Sequence, residues 1–182
     1  ITVSNTGYIK RTAITSYRSQ RRGGKGRIGM RTREEDFVSH LFVASTHDYI
    51  LFFTTVGKVY RLKVHELPLG SRQSKGRAIV NLLPFRQDED VRAVIATRNF
   101  EEAKYLVCAT RKGIVKKTEF RAYNTPLKAD GIIAIKLRED DELIGVRLAG
   151  DGDDVLMVSR LGQTVRFHGK QARAMGRDTS GV

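Results

Sequence analysis

The sequence predicts an all-β domain, a propeller-like array of four-stranded blades built on a repeat of about 50 residues. Three observations carry this: a hairpin pattern that recurs four times, a second glycine in step with it, and no window of 12 or more residues with a helical apolar period. The hairpins come first. Ile1-Thr2-Val3-Ser4 runs into Gly7-Tyr8-Ile9-Lys10-Arg11, and Leu51-Phe52-Phe53-Thr54 into Gly57-Lys58-Val59-Tyr60-Arg61. Tyr105-Leu106-Val107-Cys108 then runs into Gly113-Ile114-Val115-Lys116-Lys117, and Val155-Leu156-Met157-Val158 into Gly162-Gln163-Thr164-Val165-Arg166. In each, glycine supplies the backbone angles that a tight turn between strands requires. The turn glycines stand 50, 56 and 49 residues apart.

The second glycine follows the first by 19, 19, 18 and 19 residues, at Gly26, Gly76, Gly131 and Gly181. Behind it, each of the first three repeats shows a strand-like run, an acidic turn and a last apolar strand. The acidic turns are Glu34-Glu35-Asp36, Asp88-Glu89-Asp90 and Glu139-Asp140-Asp141-Glu142; the strands after them span 37–44, 91–96 and 143–148. Four strands per repeat make a blade. The expectation is one domain over 1–182, with complete repeats at about 1–50, 51–104 and 105–154 and part of a fourth at 155–182. The one short helical candidate, 64–67, stops at Pro68.

At 182 residues and 20.5 kDa, with 40% hydrophobic and 29% charged residues, the chain is long enough for one sizeable core and is of globular composition. Its 33 Lys and Arg against 20 Asp and Glu give a formal charge of +13, which points to a polyanionic partner, nucleic acid ahead of an anionic membrane. A single cysteine, Cys108, allows neither an intrachain disulfide nor a multi-thiolate metal site, and fits a reducing cytosol. No apolar run is longer than that at 49–53, far short of the roughly 20 residues of a membrane span, and no signal peptide precedes the first strand. A soluble, cytoplasmic chain is expected, one cut from a longer protein because it opens on Ile1.

The cations fall in two patterns. Four residues after each turn glycine stand Arg11, Arg61, Lys117 and Arg166, which reads as a ring of positive charge. The first repeat also carries Lys10, Arg11, Arg18, Arg21, Arg22, Lys25, Arg27, Arg31 and Arg33 before its first carboxylate, Glu34. Within this run lies Gln20-Arg21-Arg22-Gly23-Gly24-Lys25-Gly26, matched in the second repeat by the milder Arg72-Gln73-Ser74-Lys75-Gly76-Arg77. Glycines let the backbone approach a phosphate while Arg and Lys bring mobile charge. The string is not a nucleotide P-loop, since Gly26 follows Lys25 where that motif needs Ser or Thr for magnesium.

The QRRGGKG run at 20–26 resembles the signature box of the C-terminal domain of the DNA gyrase A subunit. The stretches Thr46-His47-Asp48, Ile79-Val80-Asn81-Leu82-Leu83, Asp141-Glu142-Leu143-Ile144-Gly145 and Arg173-Ala174-Met175-Gly176 are similar to the same family. The resemblance implies a β-pinwheel, whose blades exchange strands with their neighbours, with duplex DNA bent around a basic perimeter. It implies further that the wrap hands DNA to the strand-passage core of gyrase, its A and B subunits together, so that negative supercoils are introduced. Box function falls on Gln20, Arg21, Arg22, Gly23, Gly24, Lys25 and Gly26. DNA-backbone binding is assigned, from the repeat alignment, to Lys10, Arg11, Arg18, Arg27, Lys58, Arg61, Arg72, Lys75, Arg77, Lys116, Lys117 and Arg166. The family's full domain commonly has six blades, against three and part of a fourth here.

No catalytic constellation, cofactor motif or metal set stands out. His40, His47, His65 and His168 show no ligand spacing, the acidic clusters read as solvated turns, and Cys108 reads as a buried thiol. The chain is therefore read as a non-enzymatic accessory domain of a nucleoid-associated bacterial topoisomerase. Two other readings stay open, the equivalent domain of topoisomerase IV, whose box is lost or degraded, and a basic propeller that scaffolds acidic proteins. An RNA-binding propeller ranks below both, because only Tyr60 among the aligned second strands sets an aromatic near a cation cluster.

Overall fold

The computed structural model describes residues 1–182 as strands joined by turns and single turns of 3-10 helix. Four hairpins form as the repeats require: β1 (Thr2–Ser4) with β2 (Tyr8–Lys10), then, after β3 (Val38–Leu41), β4 (Tyr49–Thr54) with β5 (Lys58–Lys63). Past β6 (Arg77–Ala78) and β7 (Val91–Thr97) come β8 (Tyr105–Thr110) with β9 (Val115–Glu119). Past β10 (Ile132–Ile133) and β11 (Leu143–Ala149), the last is β12 (Asp154–Val158) with β13 (Thr164–His168). All four use one turn, in which the glycine amide donates to the carbonyl three residues back: Gly7 to Ser4, Gly57 to Thr54, Gly113 to Thr110 and Gly162 to Ser159, at 3.0–3.1 Å. This is the three-residue loop whose last position is left-handed, and the turn glycines have φ of 88°, 76°, 83° and 85°. The helical candidate at 64–67 is a 3-10 turn, Val64–Glu66.

A repeat in sequence and a blade in space are different sets of residues. The first sheet runs β3-β1-β2-β6 and the second β10-β5-β4-β7, so the strand behind the second glycine joins the hairpin of the preceding repeat. The third sheet, β11-β8-β9, takes its first such bonds from Val182, which exchanges two backbone hydrogen bonds with Val115 at 2.7 and 2.9 Å. The expectation that each repeat folds its own four strands is corrected accordingly. In the first repeat the segment after Gly26 has no strand at all, since no hairpin of this chain lies beside it.

Two cores separate the blades. Side chains alternate along β4, sending Ile50 and Phe52 into a core shared with the first blade and Leu51 and Phe53 into one shared with the third. All four are at most 1% exposed, which is why this strand reads as a continuous apolar run rather than an alternating one. Burying each such side chain stabilises the stack by roughly 1.5–3 kcal/mol. The fourth hairpin, by contrast, leaves Leu156 and Val158 exposed on one face and Val165 on the other.

One carboxylate of each acidic turn is a clamp, while Glu34, Glu35, Asp88, Asp90, Glu139 and Asp140 stay exposed, as a solvated turn requires. Asp36 accepts the Thr6 amide at 3.0 Å, the Thr6 hydroxyl at 2.6 Å and the Phe37 amide at 2.9 Å, tying the far end of the repeat to its own hairpin turn. Asp141 does the same for the Lys112 amide at 3.0 Å. Glu89, itself buried, accepts the Thr54 and Tyr60 hydroxyls at 2.6 and 3.2 Å. Burial alone raises the Asp36 carboxyl, but the hydroxyls of Thr6 and Ser4 and the amides of Thr6 and Phe37 outweigh it and hold the group below its usual range. A carboxylate with a depressed folded pKa contributes stability above its unfolded value of about 3.9 and loses it as pH falls through the folded one. Asp36→Asn is thus expected to lower the denaturant midpoint at neutral pH, with the gap to wild type closing as pH falls below the unfolded value of about 3.9 and through the lower folded one; a pH-independent gap contradicts the clamp.

Candidate nucleic-acid interface

The cations assigned to the DNA backbone divide into two groups once their partners are known. Lys10, Lys116 and Lys117 are buried, at 0%, 1% and 8% exposure, and their ammonium groups point into the chain of the next repeat. Lys10 Nζ donates to the carbonyls of Ser71, Arg72 and Ser74 at 2.8, 2.6 and 2.7 Å. Lys116 Nζ donates to Ala134, Gly176 and Arg177, and Lys117 Nζ to Gly169 at 2.6 Å. Burial lowers the Lys10 ammonium and pushes that of Lys116 down to about 8, so the converging carbonyls are what offsets its desolvation.

Arg11 and Arg61 serve the same end from half-buried positions. Arg11 Nε donates to Leu67 O at 2.8 Å; Arg61 donates to Asn124 and Thr125 at 3.2 and 2.7 Å while lying over the rings of Tyr49 and Phe100. Lys58 Nζ donates to Asp130 O at 3.2 Å, and Arg166 pairs with Asp154 at 2.5 Å. The recurring cation four residues after the turn glycine is therefore a strut between blades in the first three repeats and an ion pair in the fourth. The expected ring of free charge at these positions is corrected, because a period-two argument gives the face of a strand but not what covers that face.

Of the cations outside ion pairs, the densest group in sequence lies at one place. The box segment 20–26 is a tight turn on the surface, with the Gly24 amide donating to Arg21 O at 3.1 Å. The Gln20 side chain braces its two ends, Oε1 accepting the Gly26 amide at 3.1 Å and Nε2 donating to Gly26 O at 3.5 Å. Arg21, Arg22 and Lys25 are exposed on it. None of Arg18, Arg21, Arg22, Lys25, Arg27, Arg31 or Arg33 enters an ion pair, whereas Arg92, Arg98, Lys104, Arg111, Arg121 and Arg166 all do. The second basic loop lies alongside: the Arg31 amide donates to Gln73 O at 3.2 Å, and Lys75 Nζ sits 3.6 Å from the centre of the Tyr8 ring. Arg77 is exposed on β6.

Charge falls steeply from one second-glycine loop to the next. Residues 21–27 carry a net +4 and 71–77 a net +3, while 126–132 and 176–182 carry none, Asp130 and Asp178 offsetting Lys128 and Arg177. The arrangement offers phosphates a two-loop track with unpaired guanidinium and ammonium groups and with glycine amides close at hand. No group of three or more His, Cys, Asp or Glu side chains converges to hold a metal ion. Cys108 is buried with its thiol pushed up to about 12 by desolvation, which removes it from nucleophilic chemistry. No helix is long and apolar enough to cross a membrane.

Sequence reasoning missed the Ser or Thr three residues before each turn glycine. The hydroxyl oxygens of Ser4, Thr110 and Ser159 accept the amides of Tyr8, Ile114 and Gln163 at 3.1, 3.1 and 3.0 Å, and Thr54 reaches Glu89 instead. The recurring Ser/Thr-x-x-Gly spacing was the available signal.

Comparison with known proteins agrees along the whole chain. The family described as DNA gyrase C-terminal domain, beta-propeller, matches residues 1–45, 48–98, 104–149 and 153–182. The DNA gyrase A subunit of Mycolicibacterium smegmatis is 50% identical over 184 residues and that of Mycobacterium tuberculosis H37Rv is 48% identical. Each match covers 100% of this chain and 22% of the relative, so the chain spans about a fifth of their length. Among solved structures, the C-terminal domain of DNA topoisomerase IV superposes with a TM-score of 0.86 at 29% identity, covering 100% of this chain and 55% of that one. The DNA gyrase A C-terminal domain superposes at 0.73 and 23% identity, covering 100% and 58%, a likeness of fold.

Proposed function

The chain belongs to the DNA gyrase C-terminal domain family, and we propose that it is a non-enzymatic module that binds, bends and wraps double-stranded DNA for a gyrase-type enzyme. In this reading it works in the bacterial cytoplasm, with the rest of the gyrase A subunit and with the B subunit, and presents the wrapped segment for strand passage that introduces negative supercoils. The observation that carries the proposal is the pair of adjoining loops with net charges of +4 and +3, whose cations enter no ion pair.

Energetics favour phosphate contacts over base readout. Bending a duplex through about half a turn over roughly 40 bp costs on the order of 10 kcal/mol. Distributed phosphate contacts offset this through counterion release, and each neutralised phosphate steepens the fall of log K with log salt by about 0.9. If the cations of both loops engage, they contribute a slope of about −6. Duplex affinity measured from low to high salt is expected to be steep in salt and tolerant of sequence. A slope near zero, or tight binding of acidic peptides and heparin without DNA bending, removes the wrapping reading in favour of a protein scaffold. The topoisomerase IV alternative is disfavoured by the intact box and by 48–50% identity to gyrase sequences, although the fold is common to both.

A further inference from the structure

Lys10 and Lys116 perform one task at two equivalent places, and only one of the two holds a cation-rich loop. Both stand three residues after a turn glycine and both are fully buried. Both drive an ammonium into the turn that the next repeat lays across the hairpin, Lys10 giving all three donors to Ser71, Arg72 and Ser74, Lys116 giving two to Gly176 and Arg177 and the third to Ala134 of its own repeat. Counted back from the second glycines Gly76 and Gly181, Ser71 and Arg72 occupy the positions of Gly176 and Arg177. An ammonium has three donors and no acceptor, so giving all three to one turn fixes the shape of that turn. Removing it leaves three carbonyls aimed at a site with no donor, which the turn can relieve only by opening.

The two loops differ in what they display. Residues 71–77 present Arg72, Lys75 and Arg77 with no carboxylate among them, beside the segment that follows the box, through the bond from the Arg31 amide to Gln73. Residues 176–182 present only Arg177, whose guanidinium donates to Ile133 O at 2.7 Å, and Asp178 beside it.

We propose that Lys10 is a positioning residue for DNA binding: by seating the turn at 71–74 on its ammonium, it holds Arg72, Lys75 and Arg77 against the box segment, so that 20–31 and 71–77 form one phosphate track. The inference rests on the DNA-binding reading above. Lys10 itself touches no DNA and acts through the loop.

The test is the salt dependence of duplex binding by the full-length protein. It compares wild type, Lys10→Met, Lys116→Met, the triple variant Arg72→Ala, Lys75→Ala, Arg77→Ala, and that triple combined with Lys10→Met. Lys10→Met is expected to reduce the slope by about 0.9 for each phosphate no longer neutralised, approaching the triple variant, and to add nothing on top of it. Lys116→Met removes a buried ammonium of the same kind and is expected to lower thermal stability comparably while leaving the slope at the wild-type value. A wild-type slope in Lys10→Met, an equal reduction in Lys116→Met, or additivity with the triple variant overturns the proposal. Should Lys10→Met not fold, Lys10→Gln, which keeps two of the donors, is judged by the same outcomes. A wild-type slope near zero defeats the DNA-binding reading itself, whereas a steep one that Lys10→Met does not change defeats only the role of Lys10.

Discussion

If the domain wraps DNA as proposed, changing Arg21, Arg22 and Lys25 together to alanine is expected to abolish the linking-number shift of nicked circular DNA sealed in the presence of the full-length protein, while leaving most duplex binding in place. The salt slope should fall by about 2.7, one increment for each phosphate released, because the +3 loop at 71–77 and Arg18, Arg27, Arg31 and Arg33 remain. Handedness is the quantity at stake. Charges spread along a rim hold a bent duplex in the plane of that rim, and a chiral path needs it drawn out of plane at one point. The steep gradient of loop charge, from +4 to zero around the blades, puts the strongest pull at the box. Fold stability should change by no more than about 0.5 kcal/mol, since the three side chains are exposed and bond to nothing in the protein. A variant that keeps the wild-type shift removes the box from the wrapping mechanism. A variant that loses the shift together with several degrees of melting temperature assigns the box to the fold instead.

The hairpins were legible in the sequence because everything that makes them is local: two short apolar runs, three loop residues, and a glycine at the left-handed position. The partner of a strand is not local. Nothing in Arg77-Ala78 or Ile132-Ile133 says that each pairs with the hairpin of the repeat before it, and the family resemblance rather than the residue pattern supplied the exchange. The same limit explains the struts. Arg11, Arg61 and Lys117 recur in register as surface cations would, yet their partners are backbone carbonyls about 50 to 65 residues away, which carry no signature of their own. A signal did exist one position earlier. The residues three after the turn glycines are Lys10, Tyr60, Lys116 and Val165, and a site that exchanges lysine with tyrosine and valine resembles an interior position more than a solvated one. The box segment was legible as an exposed basic turn, since its residues stand where composition alone would leave them.

Gly76→Ala should be the most damaging small substitution in the chain, because one added methyl group meets backbone on the side where two blades are sewn together. At Gly76, φ is +82°, and a Cβ would lie 2.3 Å from the carbonyl oxygen of Ile9 and 2.8 Å from its carbon, neither of which is the end of a flexible side chain. The left-handed conformation costs a residue with a Cβ roughly 1–2 kcal/mol, and overpacking at a rigid site about 1–3 kcal/mol more. Relief requires β6 to retreat from β2. That breaks the pairings Tyr8↔Ala78 and Ile9↔Arg77, loosens the bond from the Ile79 amide to Gly7 O, and lifts the turn at 71–74 off Lys10. A loss of about 2–5 kcal/mol lowers the melting temperature by roughly 5–15 °C in a domain of this size. Gly26 supplies the internal control. Its φ is +70°, yet a Cβ there would meet nothing within 4 Å, so Gly26→Ala incurs the conformational cost alone. The difference between the two melting temperatures therefore isolates the contact between blades. If Gly76→Ala proves no worse than Gly26→Ala, the exchanged strand does not depend on backbone approach at this glycine, and the seam between the first two blades must be held chiefly by Lys10, Arg11 and the apolar core around Phe52 and Tyr60.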